Sequence, residues 1–294
     1  MLEASASIFK KRATLPSDPR QPYPLPLHYT AASTGSPDPV QVNLLGYLGP
    51  IAAPFIDYLI ADPVVPPAAC QPLYPERIVH LPHCYPPLDT RGRVIAADPS
   101  RAVWGPPAQG FVFCNFSAAC KLTPALFAIW LRLLAGVPGS VLWLHDSNPT
   151  VRANLAATAA AGIDPRRLMF GATLSQPEYL VRLSAADLFL DTLPCAARIT
   201  GVDALWASPP ITTCAGGVFS GRHAASALQA AGLPELVTHS LADYEATALR
   251  LASEPSFLVD LQARLALREG PLFDVAGYSA ALETIYQRVV ERAD

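Results

Sequence analysis

A chain of 294 residues, 51% hydrophobic and 15% charged, is long enough for one large or two modest cores, which excludes a disordered or fibrous protein. The net charge is −3 and no run of like charge exceeds three residues, so neither a nucleic-acid footprint nor a basic membrane-binding patch is written in it. Small molecules or other proteins are the partners this balance leaves.

The N-terminal stretch MLEASASIFKKRATLP holds no apolar segment of leader length. The most apolar segment, 125–137, is interrupted by Arg132 and is too short for a bilayer. A cytoplasmic protein is expected. Proline is frequent, 31 residues, and clusters before residue 110, so LPSDPRQPYPLPLHY and ADPVVPPAACQPLYPE read as loop. Residues 1–39 are expected to be poorly ordered. Short extended pieces at 41–45, 57–62 and 77–82 predict a partial α/β portion over 40–108.

After Gly110 the texture changes. Apolar strands predicted at 111–115, 140–145, 167–171, 187–191 and 210–213 alternate with amphipathic helices, the pattern of a parallel sheet covered on both faces. Thr123 followed by Pro124 predicts a helix cap with proline at the first helical position, and Ser175 opens a second helix. Three closing helices are predicted near 242–253, 255–268 and 275–292. Residues 109–294 therefore read as one complete doubly wound domain. Six cysteines lie scattered, with no CxxC and no histidine pair at zinc spacing, so they read as small core residues, and neither a disulfide nor a metal site is expected.

In such a sheet the ligand site lies beyond the carboxyl ends of the strands, where helix N-termini point free N–H groups outward. Lys121, the only lysine after Lys11, falls there and fits either a phosphate ligand or a solvated loop residue. Arg198 and Thr200 sit where a strand hands over to the helix carrying Asp203. Guanidinium, hydroxyl and backbone N–H groups together suit a diphosphate, while Thr200 alone also fits a helix cap. Asp203 fits a ribose hydroxyl acceptor or a partner of the helix dipole. The turn CAGGVFSGR, 214–222, matches neither phosphate-loop pattern and reads as a plain loop. No Ser-His-Asp set or paired carboxylates can be read out; of His80, His83 and His145, the first two read as structural.

The runs LGYLGPIAAPFIDYLIADPVV (45–65), LPHCY (81–85), FCNFSAACKLTP (113–124), SVLWL (140–144) and ADLFLDTLPCAARITGVDALWASPPITTCAGGVFSGRHAASAL (186–228) resemble the catalytic region of the protein O-GlcNAc transferases, the SPINDLY-type family. The resemblance runs from about Val40 to the C-terminus in the family's order and spacing. It implies a GT-B-like α/β fold, with UDP-GlcNAc bound mainly by the second half, and inverting, metal-independent transfer of the sugar to Ser/Thr of a protein acceptor, with no cofactor. By the same resemblance Lys121 corresponds to the lysine that stabilises the departing diphosphate, Arg182 to a basic residue lining the nucleotide pocket, Thr200 to a phosphate-binding threonine and Asp203 to the ribose-binding aspartate.

The departures are specific. An H-T-T triplet of the family is Arg198, Ile199 and Thr200 here, so one phosphate hydroxyl is lost and an imidazole becomes a permanently charged fork. A glutamine three before the lysine is Ala118, a lysine near the uridine is Gln176, and the stacking histidine is Tyr179, which still offers a ring. The family's G-E-T-F loop appears as Gly216, Gly217, Val218 and Phe219, and its P-G-T-[ST]-G loop as Leu48, Gly49, Pro50, Ile51 and Ala52. Most of the family's N-terminal half, with its histidine proposed as general base, is expected to have no counterpart before residue 40. Two readings stay open: a UDP-sugar-dependent glycosyltransferase, and a weak or inactive nucleotide-sugar-binding module that needs a completing polypeptide.

Overall fold

The computed structural model describes residues 40–91, 93 and 100–291; the expectation for residues 1–39 lies outside them. Two parallel sheets organise the chain. The smaller has three strands in the order β1 (Val42–Asn43), β2 (Tyr58–Ala61) and β3 (Arg77–His80). These are the three extended pieces read from the proline-rich region, and β1 and β3 are its edges. The larger sheet has six strands: β4 (Val112–Asn115), β5 (Val141–His145), β6 (Leu168–Gly171), β7 (Leu188–Leu190), β8 (Ile211–Cys214) and β9 (Val237–Thr238). Their spatial order is β6-β5-β4-β7-β8-β9. Renumbered from its own first strand, this is 3-2-1-4-5-6, the doubly wound Rossmann order, with the switch point between β4 and β7.

The five strands read from the sequence are present, each beginning one residue later than predicted. β9 was not read, because its two residues carry no period. After a one-turn helix α1 (Arg101–Trp104), helices α2 (Pro124–Gly136) and α4 (Gln176–Ser184) start where predicted. The Thr123 hydroxyl accepts from the Leu126 N–H, and Ser175 forms a capping box with Glu178. A further helix, α3 (Pro149–Ala159), begins at the Asn148 cap. The closing helices α7 (Leu241–Ser253), α8 (Pro255–Leu267) and α9 (Val275–Glu291) match their predicted ranges to within a residue or so.

Both faces of the large sheet are covered. Phe113, Leu142, Leu188, Phe189 and Ile211 pack against Leu126, Trp130 and Leu133 of α2 and Leu251 and Leu261 of α7 and α8 in one continuous core. A buried polar chain runs through it: Trp130 Nε1–H donates to Tyr244 Oη at 3.1 Å, and that hydroxyl donates to the Asp191 carbonyl at 3.1 Å. Burying the two rings requires these bonds, since an unmet N–H or O–H there would be costly.

The small sheet cannot bury itself. Its cover comes from the end of the chain, where Ile285 and Val289 of α9 pack on Tyr58, Ile60 and Leu81. The last helix thus reaches back to the first hundred residues, as expected. Ile285→Ala should cost about 2–5 kcal/mol, read as a lower urea midpoint; an unchanged midpoint would mean that α9 does not hold the small sheet.

Candidate functional site

The site forms at the switch point, beyond the carboxyl ends of β4 and β7. Asn115 closes β4 and ties the two strands: its Nδ2–H donates to the Leu190 carbonyl at 2.7 Å, and its Oδ1 accepts from the Ser117 N–H at 3.0 Å. Ser117 Oγ lies 3.4 Å from Thr200 Oγ1. β7 ends at Leu190, and residues 191–198 turn sharply into α5 (Ile199–Ala207), with a cis peptide at Leu193–Pro194.

One buried carboxylate builds that turn. Asp191 is 0% exposed. Its Oδ1 accepts from the Thr192 and Ala197 N–H groups at 2.8 and 2.7 Å, and its Oδ2 accepts from the Thr213 hydroxyl at 2.6 Å. Such bonds to an ionised group are the strong kind, yet burial dominates and pushes the Asp191 carboxyl up to about 6, against these three bonds and the attraction of Lys121. The neighbouring loop is fixed to the turn from the other side. The Ala196 N–H donates to the Ser220 carbonyl at 2.9 Å, and a Cβ on Gly221 would meet the Pro194 carbonyl oxygen at 2.9 Å. Only glycine allows that approach.

Two cations face the turn. Lys121 Nζ donates to the Ala196 carbonyl at 3.1 Å, and Arg198 Nη1 donates to the Leu45 carbonyl at 3.1 Å. Among the described residues neither makes an ion pair with a carboxylate. Arg198 occupies the N-cap position of α5 without a capping side chain, so the positive end of that helix lies beside both charges. Thr200 does not cap the helix: it stands inside the first turn, against Ser117. Such a group of donors is suited to a phosphate-bearing anion.

The remaining predicted residues flank this centre. Asp203, on α5, is buried and paired with Arg93 at 2.5 Å, a partner the sequence did not indicate. Arg182 and Tyr179 lie on α4 beside the residue that follows β4. The Arg182 guanidinium, 3% exposed, stands 4.2 Å from the Phe116 ring centroid, 5.5 Å from that of Tyr179 and 5.8 Å from that of Trp143. Its Nη1 donates to the Ala172 carbonyl at 2.5 Å, so it braces the loop after β6. Burial first, and then Arg182, holds the His145 imidazole below its usual range. His80 lies in β3 with Nε2 3.4 Å from the Pro66 carbonyl, and His83 lines a small cavity against Tyr278 and Asp274. Neither stands at the switch point, in keeping with the structural reading.

Sequence reasoning missed Asp191, Ser117 and His223. Asp191 was read as the last residue of a strand, and a carboxylate ending an apolar run was the available signal. His223 is the first residue of α6 (His223–Ala230), and nothing in SGRHAASAL marks what it faces. Among the described residues no group of His, Cys, Asp and Glu is placed to hold a metal ion, and no helix is long and apolar enough to cross a membrane.

Sheet order, switch-point site and parallel strands define the class as an α/β fold of the GT-B glycosyltransferase kind. WaaG, a glycosyltransferase involved in lipopolysaccharide biosynthesis (16% identity, TM-score 0.54), and the sucrose-phosphate synthase of Thermosynechococcus elongatus (18%, TM-score 0.58) share this fold, over 76% and 81% of the chain and 61% and 59% of theirs. Residues 89–282 match Glycosyl transferase family 41, and the chain belongs to that family. It is similar to the probable UDP-N-acetylglucosamine--peptide N-acetylglucosaminyltransferase SEC of Arabidopsis thaliana, 34% identical over 85% of this chain and 26% of that protein. It is also similar to a mutant of the Thermobaculum terrenum O-GlcNAc transferase, with 28% identity and a TM-score of 0.78 over 87% of this chain and 49% of that one. The chain therefore spans about a quarter of the first relative and half of the second.

The raised Asp191 value gives a signed pH dependence. A carboxyl at 3.8 unfolded and about 6 folded binds its proton more tightly in the fold, so its contribution to stability is lost as pH rises from about 4 through 6. Asp191→Asn removes that dependence. The stability advantage of the parent over the variant should shrink by up to about 3 kcal/mol between pH 4 and pH 7, measured by denaturant titration; a pH-independent difference would contradict the assignment.

Proposed function

We propose that this chain is the nucleotide-sugar half of a UDP-GlcNAc-dependent glycosyltransferase that places GlcNAc on Ser/Thr hydroxyls of proteins, with inversion and without a metal. The observation that carries the reading is the convergence of Lys121 and Arg198, neither ion-paired among the described residues, on the turn before α5. Residues 109–294 serve as the nucleotide-sugar domain, and 40–108 as a partial acceptor-side portion. Six unpaired cysteines suit a reducing compartment such as the cytoplasm.

In an inverting transfer the acceptor oxygen attacks the anomeric carbon from the face opposite UDP. The bond from that carbon to the β-phosphate oxygen breaks, its electron pair leaves with the diphosphate, and the hydroxyl proton passes to a base. Lys121 neutralises the leaving diphosphate, and Arg198, Thr200 and the first N–H groups of α5 hold the phosphates. These groups supply the charge a magnesium ion supplies elsewhere. Asp203, oriented by Arg93, accepts from ribose hydroxyls. Tyr179 stacks on the base, and Arg182 lines the nucleotide pocket from behind. Proton acceptor and protein-binding surface fall to a completing polypeptide segment on the acceptor side.

A second reading, a nucleotide-sugar-binding module without turnover, is favoured by Ile199. Its side chain stands 59% exposed where the family resemblance implies a phosphate hydroxyl.

Lys121→Ala and Arg198→Ala should each weaken UDP binding about tenfold or more, since a charge-assisted contact is worth about 1.5–3 kcal/mol. Calorimetry with EDTA present should give the same affinity as with magnesium. No UDP binding by the parent would overturn the nucleotide reading. Incubation with UDP-GlcNAc, scored for released UDP and for modified Ser/Thr by mass spectrometry, separates the two readings: modification supports the enzyme, and UDP binding without release supports the module.

A further inference from the structure

We propose that His223 is a further ligand of the diphosphate pocket, a neutral imidazole that donates one hydrogen bond to the bound anion; the inference rests on the nucleotide reading above. The His223 side chain is 0% exposed, and among the described residues neither ring nitrogen has a hydrogen-bond partner. Buried polar atoms are nearly always paired. Two unpaired nitrogens on one buried ring, within reach of the charges of Arg198 and Lys121, call for an external partner.

The position of the ring is set from three sides. His223 opens α6 at the end of the loop that Ser220 and Gly221 press onto the diphosphate turn. Its ring stacks on Tyr85, with centroids 5.4 Å apart and planes 19° from parallel, and meets the edge of Phe219 at 5.5 Å. The Tyr85 hydroxyl accepts from the Leu45 N–H at 3.0 Å, and Arg198 donates to the carbonyl of the same residue at 3.1 Å. The imidazole is thus one aromatic ring away from the Arg198 guanidinium. Arg198 and Lys121 both stand near enough to act on the charge of the ring.

The chemistry of the ring suits an anion beside two fixed cations. Burial above all, then Arg198 and Lys121, holds the His223 imidazole down at about 3. It is therefore neutral at ordinary pH, with one N–H to donate and one lone pair. The carboxylate that shares Tyr85 with it, Asp62, is occupied by the Ser226 hydroxyl and the N–H groups of Val64, Val65 and Tyr85. The N–H of His223 replaces the donor that Ile199 cannot supply.

The test is calorimetric titration of the full chain with UDP in EDTA, comparing the parent with His223→Phe, which keeps ring and volume, and His223→Gln, which keeps a donor. The phenylalanine variant should bind UDP about tenfold more weakly and the glutamine variant within about threefold of the parent. Ile199→Thr in the phenylalanine background should recover most of the loss. Imidazole nitrogen NMR of the parent gives an independent readout, in which the His223 resonances should move on saturation with UDP. Equal UDP affinity in parent and His223→Phe, or unmoved His223 resonances, overturns the inference and leaves the nucleotide reading standing. Absence of UDP binding by the parent overturns that reading itself.

Discussion

The charge of Asp191 has to be satisfied inside the protein, and much of the site follows from how that is done. An isolated carboxylate removed from water is expensive. Here its oxygens take two N–H groups of the following turn and the hydroxyl of Thr213 on the next strand. Those bonds curl residues 192–197 back over the end of β7. The curl in turn points the Ala196 carbonyl at Lys121 and delivers Arg198 to the start of α5. A single buried negative charge thus positions positive charge at the mouth of the site, and Lys121 attracts it from above.

The same logic joins the two sheets. Asp62, at the end of β2, is buried and holds the backbone of its own loop, the Tyr85 N–H and the Ser226 hydroxyl of α6. Around it Leu59, Val64, Val65, Tyr85, Phe219 and Ala225 form one apolar cluster drawn from both parts of the chain. With α9 covering the opposite side, a three-stranded sheet too small to stand alone becomes one wall of the candidate site. The Leu45 carbonyl that receives Arg198 belongs to that wall.

For phosphate chemistry the arrangement joins fixed charge with fixed dipole. Lys121 is a compact ammonium, and Arg198 a planar fork suited to two phosphate oxygens; an uncapped helix start adds N–H groups already pointed outward. Arg182 has a different part. Enclosed by Phe116, Tyr179 and Trp143, it gains cation–π contact at the cost of hydration and holds the loop after β6 in shape.

The strand positions, the caps at Thr123 and Ser175 and the closing helices were legible in the sequence because each is a local matter of hydrophobic period and capping chemistry. Lys121, Arg198, Thr200 and Asp203 could be placed on the right side of the sheet because strand polarity sets where helix N-termini point. Their partners could not be read. Arg93 meets Asp203 across 110 positions, and Thr213 meets Asp191 across 22, separations that sequence pattern does not encode. Thr200 looked like a cap from its neighbours alone, and the return of Ser117 from β4 gave it another partner. The sequence by itself determined the doubly wound sheet and the residues gathered at its carboxyl edge. Only tertiary structure decided which charges are paired, which stand unpaired, and that a histidine 25 residues beyond Arg198 lies one ring away from it, because burial and hydrogen bonding are settled by long-range packing.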